Sequence, residues 1–244
     1  LEAIGCEMAF YFLRETEDFA LTEAFLPVLE RFDGDLLMLC NPNNPTGQTI
    51  PPVLMEKILG ICKRKGIFLF VDECFLDLTE NGEAYSLKTQ LDNCENLLLL
   101  KAFTKSYGMA GLRLGYCLCG NPALLTRMGQ MSQAWNVSAP AQAAGVAALG
   151  EQAFLEQARE IIHAQRPRMA NALAEMGLRV IPSETNFLLF YSEKALGEAL
   201  LKRGIQLRDC SNYPGLTRGW YRTAVRLPEQ NRRLLDAIKE ILNG

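Results

Sequence analysis

Asp35-Leu-Leu-Met-Leu-Cys-Asn-Pro-Asn-Asn-Pro-Thr-Gly47 is an apolar run that breaks abruptly into a polar one. Residues 35–40 have the length and character of a short buried strand. Residues 41–47 carry prolines, asparagines and a closing glycine, the marks of a loop. Pro51 and Pro52 then open a helix, since proline is tolerated in a first helical turn. It runs to about Lys65, with Leu54, Ile58, Ile61 and Cys62 on one side and Gly66 as its stop. Ile67-Phe-Leu-Phe-Val71 is a second buried strand that ends at Asp72.

Further out, Asn96–Leu100 is a third strand leading into Lys105, and Leu114–Cys119 is a fourth. Continuous apolar strands with helices between some of them define an α/β layer on a largely parallel sheet. Polar motifs follow the carboxyl ends of three strands, where open α/β sheets place ligands. From about Gln142 to Met176 the pattern is helical, with an interruption expected near Pro167. Then come Arg179-Val-Ile, an apolar run over 186–191, a helix from Ser192 to Arg203 and a short strand around Ile205–Arg208. Tyr221–Arg226 and a last helix from Pro228 to Leu242 close the chain. The expected division is a large domain over 1–145 and a small α+β domain over 146–244.

Of 244 residues, 49% are hydrophobic, enough for a sizeable core. The 25 basic and 28 acidic residues leave a net charge of −3, which argues against nucleic acid as a partner. No stretch reaches the roughly 18 apolar residues of a membrane span. The longest candidate, Gly66 to Leu78, carries Asp72, Glu73 and Asp77. The eight cysteines form no CxxC pair, and His163 is the only histidine. Free thiols in a reducing cytosol are therefore expected, without a Cys/His metal site, and the location expected is cytoplasmic. Leu1 is not an initiator methionine and no signal-peptide pattern follows it. The expectation is a chain that begins partway through a protein.

The candidate chemistry sits after the strands. Lys105 lies in Ala102-Phe-Thr-Lys-Ser-Tyr-Gly-Met-Ala-Gly-Leu-Arg-Leu-Gly115. A lysine amine forms a Schiff base with an aldehyde when its surroundings lower its pKa. Arg113 offers a planar fork for a phosphate dianion, and Thr104 a hydroxyl. Asp72 can pair with a protonated ring nitrogen, and Asn44 can aim an amide at a ring oxygen. Read singly, each has an ordinary alternative: a surface lysine, a solvated arginine, a capping aspartate, a turn.

Their order is Asn44, Asp72 28 residues on, Lys105 33 further and Arg113 eight beyond. In that order they resemble the fold-type I pyridoxal-phosphate (PLP) enzymes of the class I/II aminotransferase group, over essentially the whole chain. The resemblance implies a mostly parallel sheet with helices on both faces plus a smaller C-terminal α+β domain. It implies PLP as cofactor, held by Asn44, Asp72, Thr104, Lys105 and Arg113, with Lys105 as the catalytic Schiff-base lysine. Within that group the chain is most similar to the branch of histidinol-phosphate aminotransferase and threonine-phosphate decarboxylase.

Two features point to the decarboxylase. Phe75 stands three residues after Asp72, where many aminotransferases have tyrosine. Arg208-Asp-Cys-Ser-Asn-Tyr-Pro-Gly-Leu216 followed by Tyr221-Arg-Thr-Ala-Val-Arg226 looks like that family's C-terminal signature. By that resemblance Arg222 grips the substrate α-carboxylate and Arg208 its phosphate. Asn186 also faces substrate, and Arg226 is a weaker candidate. The reaction implied is decarboxylation of O-phospho-L-threonine to aminopropanol phosphate for cobalamin biosynthesis. The alternatives are an aminotransferase of histidinol-phosphate type and an inactive fragment. The implied partners are a small amino-acid phosphate and, in the full-length protein, a second copy in a homodimer. Ala102 departs from the family, which commonly has a hydroxyl three residues before the lysine. The family's N-terminal part, with its phosphate loop and ring-stacking aromatic, is expected to be missing.

Overall fold

The computed structural model describes residues 2–244. A short helix, α1 (Leu26–Arg31), leads into β1 (Leu36–Cys40), α2 (Pro52–Lys65) and β2 (Phe68–Asp72). Next come β3 (Leu97–Ala102), a one-turn helix α3 (Phe103–Ser106) and β4 (Gly115–Cys119). The sheet order is β1-β2-β3-β4. The first three strands run parallel, with Cys40 beside Asp72 and Asp72 beside Leu100, and β4 returns antiparallel. Three carboxyl ends therefore share one edge. The 41–47 loop, Asp72 and the start of α3 all leave from it.

Burial explains these elements. α2 turns Leu54, Met55, Ile58, Leu59, Ile61 and Cys62 inward. They pack with Leu69, Val71, Leu97 and Leu99 of the sheet in one core. Gly66 ends α2 in the left-handed conformation, φ 74°, and its N–H reaches the carbonyls of Cys62 and Lys63.

The chain continues through α4 (Pro122–Met131), α5 (Ala139–Leu149) and α6 (Gln152–Glu175). α4 lies outside the sequence reading; the Asn121 carboxamide caps it by accepting the Leu124 N–H at 3.0 Å. The helical interruption also falls elsewhere than expected. It comes at Gly150 and Glu151, and α6 runs on through Pro167. Pro167 sits on the exposed side of α6, where solvent can reach the His163 carbonyl that the missing N–H would have bonded.

A second sheet joins β5 (Arg179–Val180), β6 (Phe187–Tyr191), β7 (Arg208–Asp209) and β8 (Trp220–Ala224) in the antiparallel order β5-β6-β8-β7. Two helices, α7 (Leu196–Leu201) and α8 (Pro228–Asn243), accompany it. Met169 and Leu173 of α6, Phe190 of β6, Leu200 of α7 and Ile238 of α8 share one core. The helix expected from Ser192 starts only at Leu196, because the Ser192 hydroxyl closes a turn onto the Lys194 carbonyl at 2.9 Å. The strand expected over 205–208 shortens to Arg208–Asp209, where β8 offers pairing. The N-terminal segment is fastened to this sheet. Phe19 packs edge-on to Trp220, and Arg179 bonds Glu15 and Asp18 at 2.6 and 3.0 Å. No described helix is long and apolar enough to cross a membrane. All eight cysteines are free.

Candidate active site

The 41–47 loop is held by its own asparagines. Asn41 is fully buried; its amide donates to the Tyr85 carbonyl at 3.1 Å and its side-chain oxygen accepts the Ile50 N–H at 2.9 Å. Asn43 donates to the Thr46 hydroxyl at 2.9 Å. Gly47 closes the loop at φ 80°, and a Cβ there would lie 2.1 Å from the Ser183 hydroxyl. Asn41 is thus tied to the chain around the loop and Asn43 to Thr46 within it, while Asn44 is the one that reaches the second sheet. Its side-chain oxygen accepts from the Arg222 guanidinium and, at 3.4 Å, from the Tyr213 hydroxyl.

Asp72 is half-buried at the end of β2. Its carboxylate accepts the Cys74 N–H at 2.9 Å and has no ion-pair partner among the described residues. Burial, and then the Asp72 charge, push the Cys40 thiol up to about 12. Burial also pushes Cys74 well up, with Asp72 adding to it. Both thiols are therefore neutral at neutral pH.

Lys105 is the third residue of α3 and has no carboxylate partner among the described residues. Its ammonium sits 5.1 Å from the centre of the Phe75 ring. Phe75 packs edge-on to Phe187 at 5.1 Å, and the Arg222 guanidinium lies 5.1 Å from the Phe187 ring. Lys105, Phe75, Phe187, Arg222 and Asn44 thus form one continuous line between the two sheets. A cation over an aromatic face is favourable by about 0.5–2 kcal/mol, so both rings help place the cations they meet.

Arg208 stands directly opposite Arg222 across the β7–β8 pair. Its guanidinium lies 5.7 Å from the Tyr213 ring and donates to Asn212 at 3.1 Å. Like charges opposite each other weaken a sheet pair. Neither arginine has a carboxylate partner among the described residues, so an anionic ligand would relieve the repulsion.

Other expected residues stand apart from this line. Arg113 is exposed in the left-handed region, φ 55°, with its guanidinium on the Ala110 carbonyl at 3.0 Å. Thr104 is half-buried beside Lys105 without a side-chain hydrogen bond to the others. Asn186 adjoins Phe187, and its carboxamide oxygen accepts from the Thr185 hydroxyl at 3.4 Å. Arg226 is exposed, and its backbone is engaged with Asn231: its N–H donates to the Asn231 side-chain oxygen at 2.8 Å and its carbonyl accepts the Asn231 amide at 2.6 Å.

Sequence reasoning passed over Tyr213, Phe187 and a buried ionic group. The Lys101 ammonium lies 3.1 Å from Glu73 and 3.0 Å from Asp77. A signal was present: Lys101 follows four leucines, and lysine is almost never fully buried unless paired.

The model for aminotransferase class I and II matches residues 1–238. The chain is 38% identical over 246 aligned positions to threonine-phosphate decarboxylase of Salmonella typhimurium, covering 98% of this chain and 66% of that protein. It is also 38% identical over 237 positions to a histidinol-phosphate aminotransferase of Desulfitobacterium hafniense, covering 94% and 63%. Among solved structures, histidinol-phosphate aminotransferase from Clostridium acetobutylicum superposes with a TM-score of 0.91 at 26% identity, covering 99% of this chain and 73% of that one. L-threonine-O-3-phosphate decarboxylase from Porphyromonas gingivalis gives 0.76 at 26% identity, covering 86% and 65%. The fold is that of the fold-type I PLP-dependent enzymes. The chain belongs to the class I and II aminotransferase family. It spans just under two thirds of the length of these curated relatives.

Proposed function

We propose that this protein is a PLP-dependent enzyme acting on a small amino-acid phosphate, and that its reaction is decarboxylation of O-phospho-L-threonine to aminopropanol phosphate. The observation that carries the reading is the Arg208–Arg222 pair, two unneutralised guanidinium groups on facing residues of the β7–β8 pair, with Arg222 over the Phe187 ring. Two anions on one substrate, a carboxylate and a phosphate, match two such cations.

The residues fit the cofactor. Asp72 is an unpaired carboxylate suited to a pyridinium nitrogen. Lys105 is an unpaired amine suited to an aldehyde carbon. Asn44 is an amide held on a fixed loop, suited to a ring oxygen. Thr104 and Arg113 belong to the same proposal as donors to the cofactor phosphate. The chemistry supplied by the bound cofactor is withdrawal of electrons from the bond that breaks at the substrate Cα.

The chain's own residues do the rest. Arg222 takes the α-carboxylate through paired hydrogen bonds, and Arg208 takes the phosphate. With both ends fixed, the carboxylate is held where its bond to Cα can break. Phe75 and Phe187 form an apolar wall that excludes water between the cations. Asn186, next to Phe187, is placed to meet the substrate. Once CO2 has left, the Lys105 amine would be the group that delivers a proton to Cα. The same residues would run transamination if the Cα–H bond were presented instead. Equal identity to a histidinol-phosphate aminotransferase supports that second reading.

The test is to incubate PLP-loaded protein with O-phospho-L-threonine and measure CO2 and aminopropanol phosphate. Release of both supports decarboxylation. Pyridoxamine phosphate formed without CO2, and returned to PLP by a keto acid, would overturn it in favour of transamination. The domain division near residue 145, a homodimer and a cytoplasmic location belong to the same proposal.

A further inference from the structure

Behind Lys105 lies a polar group that the proposed chemistry does not use. Glu73 is fully buried, and Lys101 is 7% exposed. The Lys101 ammonium bridges Glu73 at 3.1 Å and Asp77 at 3.0 Å. The other Asp77 oxygen accepts the Ser106 hydroxyl at 3.1 Å. Glu73 also accepts the Ser86 hydroxyl at 2.8 Å and the Leu87 N–H at 3.3 Å. Arg159 of α6 donates to the Asp77 carbonyl at 2.7 Å. Tyr107 and Tyr116 are the other titratable groups facing Asp77, and both are pushed up, by burial first and then by Asp77.

Chain position turns this group into a frame for the site. Glu73 follows Asp72. Asp77 lies two residues beyond Phe75, whose ring meets the Lys105 ammonium. Ser106 follows Lys105. The Lys101 bridge and the Ser106–Asp77 hydrogen bond together join the segments that carry Asp72, Phe75 and Lys105. A buried ion pair is weak evidence for stability, since desolvation offsets much of its attraction. Registration is its better-attested use. The group also carries charge. The Asp77 carboxylate is the negative group tied directly to Ser106, the residue next to Lys105.

We propose that the Glu73–Lys101–Asp77–Ser106 network is a positioning device that fixes Lys105 against Asp72 and Phe75 and supplies the negative charge that holds the lysine–cofactor bond in its protonated form. This rests on the cofactor reading above. The four residues act through Lys105, as positioning residues.

The experiment is a pH titration of the absorbance of the lysine-bound cofactor in the holoenzyme. Asp77→Asn keeps the shape and removes one negative charge, so the midpoint should fall by roughly 0.5–1 pH unit. Lys101→Arg keeps the cation, so its midpoint should stay near wild type. Ser106→Ala keeps the charge and cuts only the tether. Its midpoint should stay in place while kcat drops several-fold at nearly constant KM. Asp77 is partly exposed, so Asp77→Asn is expected to fold. If it does not, Ser106→Ala decides the positioning claim alone. An Asp77→Asn midpoint equal to wild type, or a Ser106→Ala kcat equal to wild type, overturns the proposal. Lys105→Ala separates the two layers: if the band survives in that variant, the cofactor reading fails, whatever the network does.

Discussion

Arg208 and Arg222 face each other across one strand pair, yet they are not interchangeable. The Arg222 guanidinium bonds Asn44 directly, while the Arg208 guanidinium lies over the Tyr213 ring. In the proposed reading Arg222 takes the α-carboxylate and Arg208 the distal phosphate. A hydrogen bond to a charged group is worth about 1.5–3 kcal/mol, or roughly 10- to 150-fold in rate. Arg208→Ala should lower kcat/KM for O-phospho-L-threonine by that factor and leave kcat/KM for unphosphorylated threonine nearly unchanged. Equal losses on both substrates would remove Arg208 from the phosphate. Arg222→Lys keeps the charge and loses the fork, so KM should rise by about tenfold for both substrates. The residues legible in sequence were those with a motif around them: Asn44 in its loop, Asp72 at a strand end, Lys105 after another. Tyr213 and Phe187 were not, because their roles come from contacts across 169 and 112 residues of chain, to Asn44 and Phe75.

The 41–47 loop shows how an element is fixed from outside itself. The Gly47 carbonyl accepts the Glu184 N–H at 2.8 Å, and the Ser183 hydroxyl fills the space where a side chain at 47 would go. Gly47→Ala meets two costs, a left-handed backbone and a collision with Ser183. Together they should destabilise the protein by about 1–3 kcal/mol, read from the denaturant midpoint. Adding Ser183→Gly removes the collision and leaves the backbone strain, so the double variant should recover only part of the loss. Full recovery would mean that φ at 47 costs nothing. The parallel strands and α2 were legible because each is a continuous apolar run bounded by proline, glycine or a charge. The two-residue strands β5 and β7 carry no period of their own, and pairing with β6 and β8 defines them. Pro167 misled for the opposite reason. Proline breaks a helix through its neighbours, and on an exposed face the neighbours tolerate it.

At the scale of the whole molecule, its free thiols make folding sensitive to alkali. Burial raises Cys40, Cys62, Cys74, Cys94 and Cys210 above the usual 9.0, which they regain on unfolding. A raised folded value means that the stabilising contribution is complete below pH 9.0. It is lost as pH climbs from there through the folded value. Lys101 is also raised, from 10.5, by Glu73 and Asp77 against the opposing effect of burial, so its share is lost only at higher pH. The thiols therefore dominate the first part of the decline. Cys62, fully buried and raised to about 11 by burial first and Cys94 second, is the cleanest probe. Between pH 7 and about 10.5 it should contribute about 1–2 kcal/mol of lost stability. Cys62→Ala will be less stable than wild type at pH 7, because it leaves a small cavity beside Cys94. Its further loss on going to about pH 10.5 should nonetheless be smaller than wild type's by that same 1–2 kcal/mol, measured as the change in denaturant midpoint multiplied by the slope. Parallel declines in the two proteins would show that the fold does not raise the Cys62 thiol, and that the alkaline loss lies elsewhere.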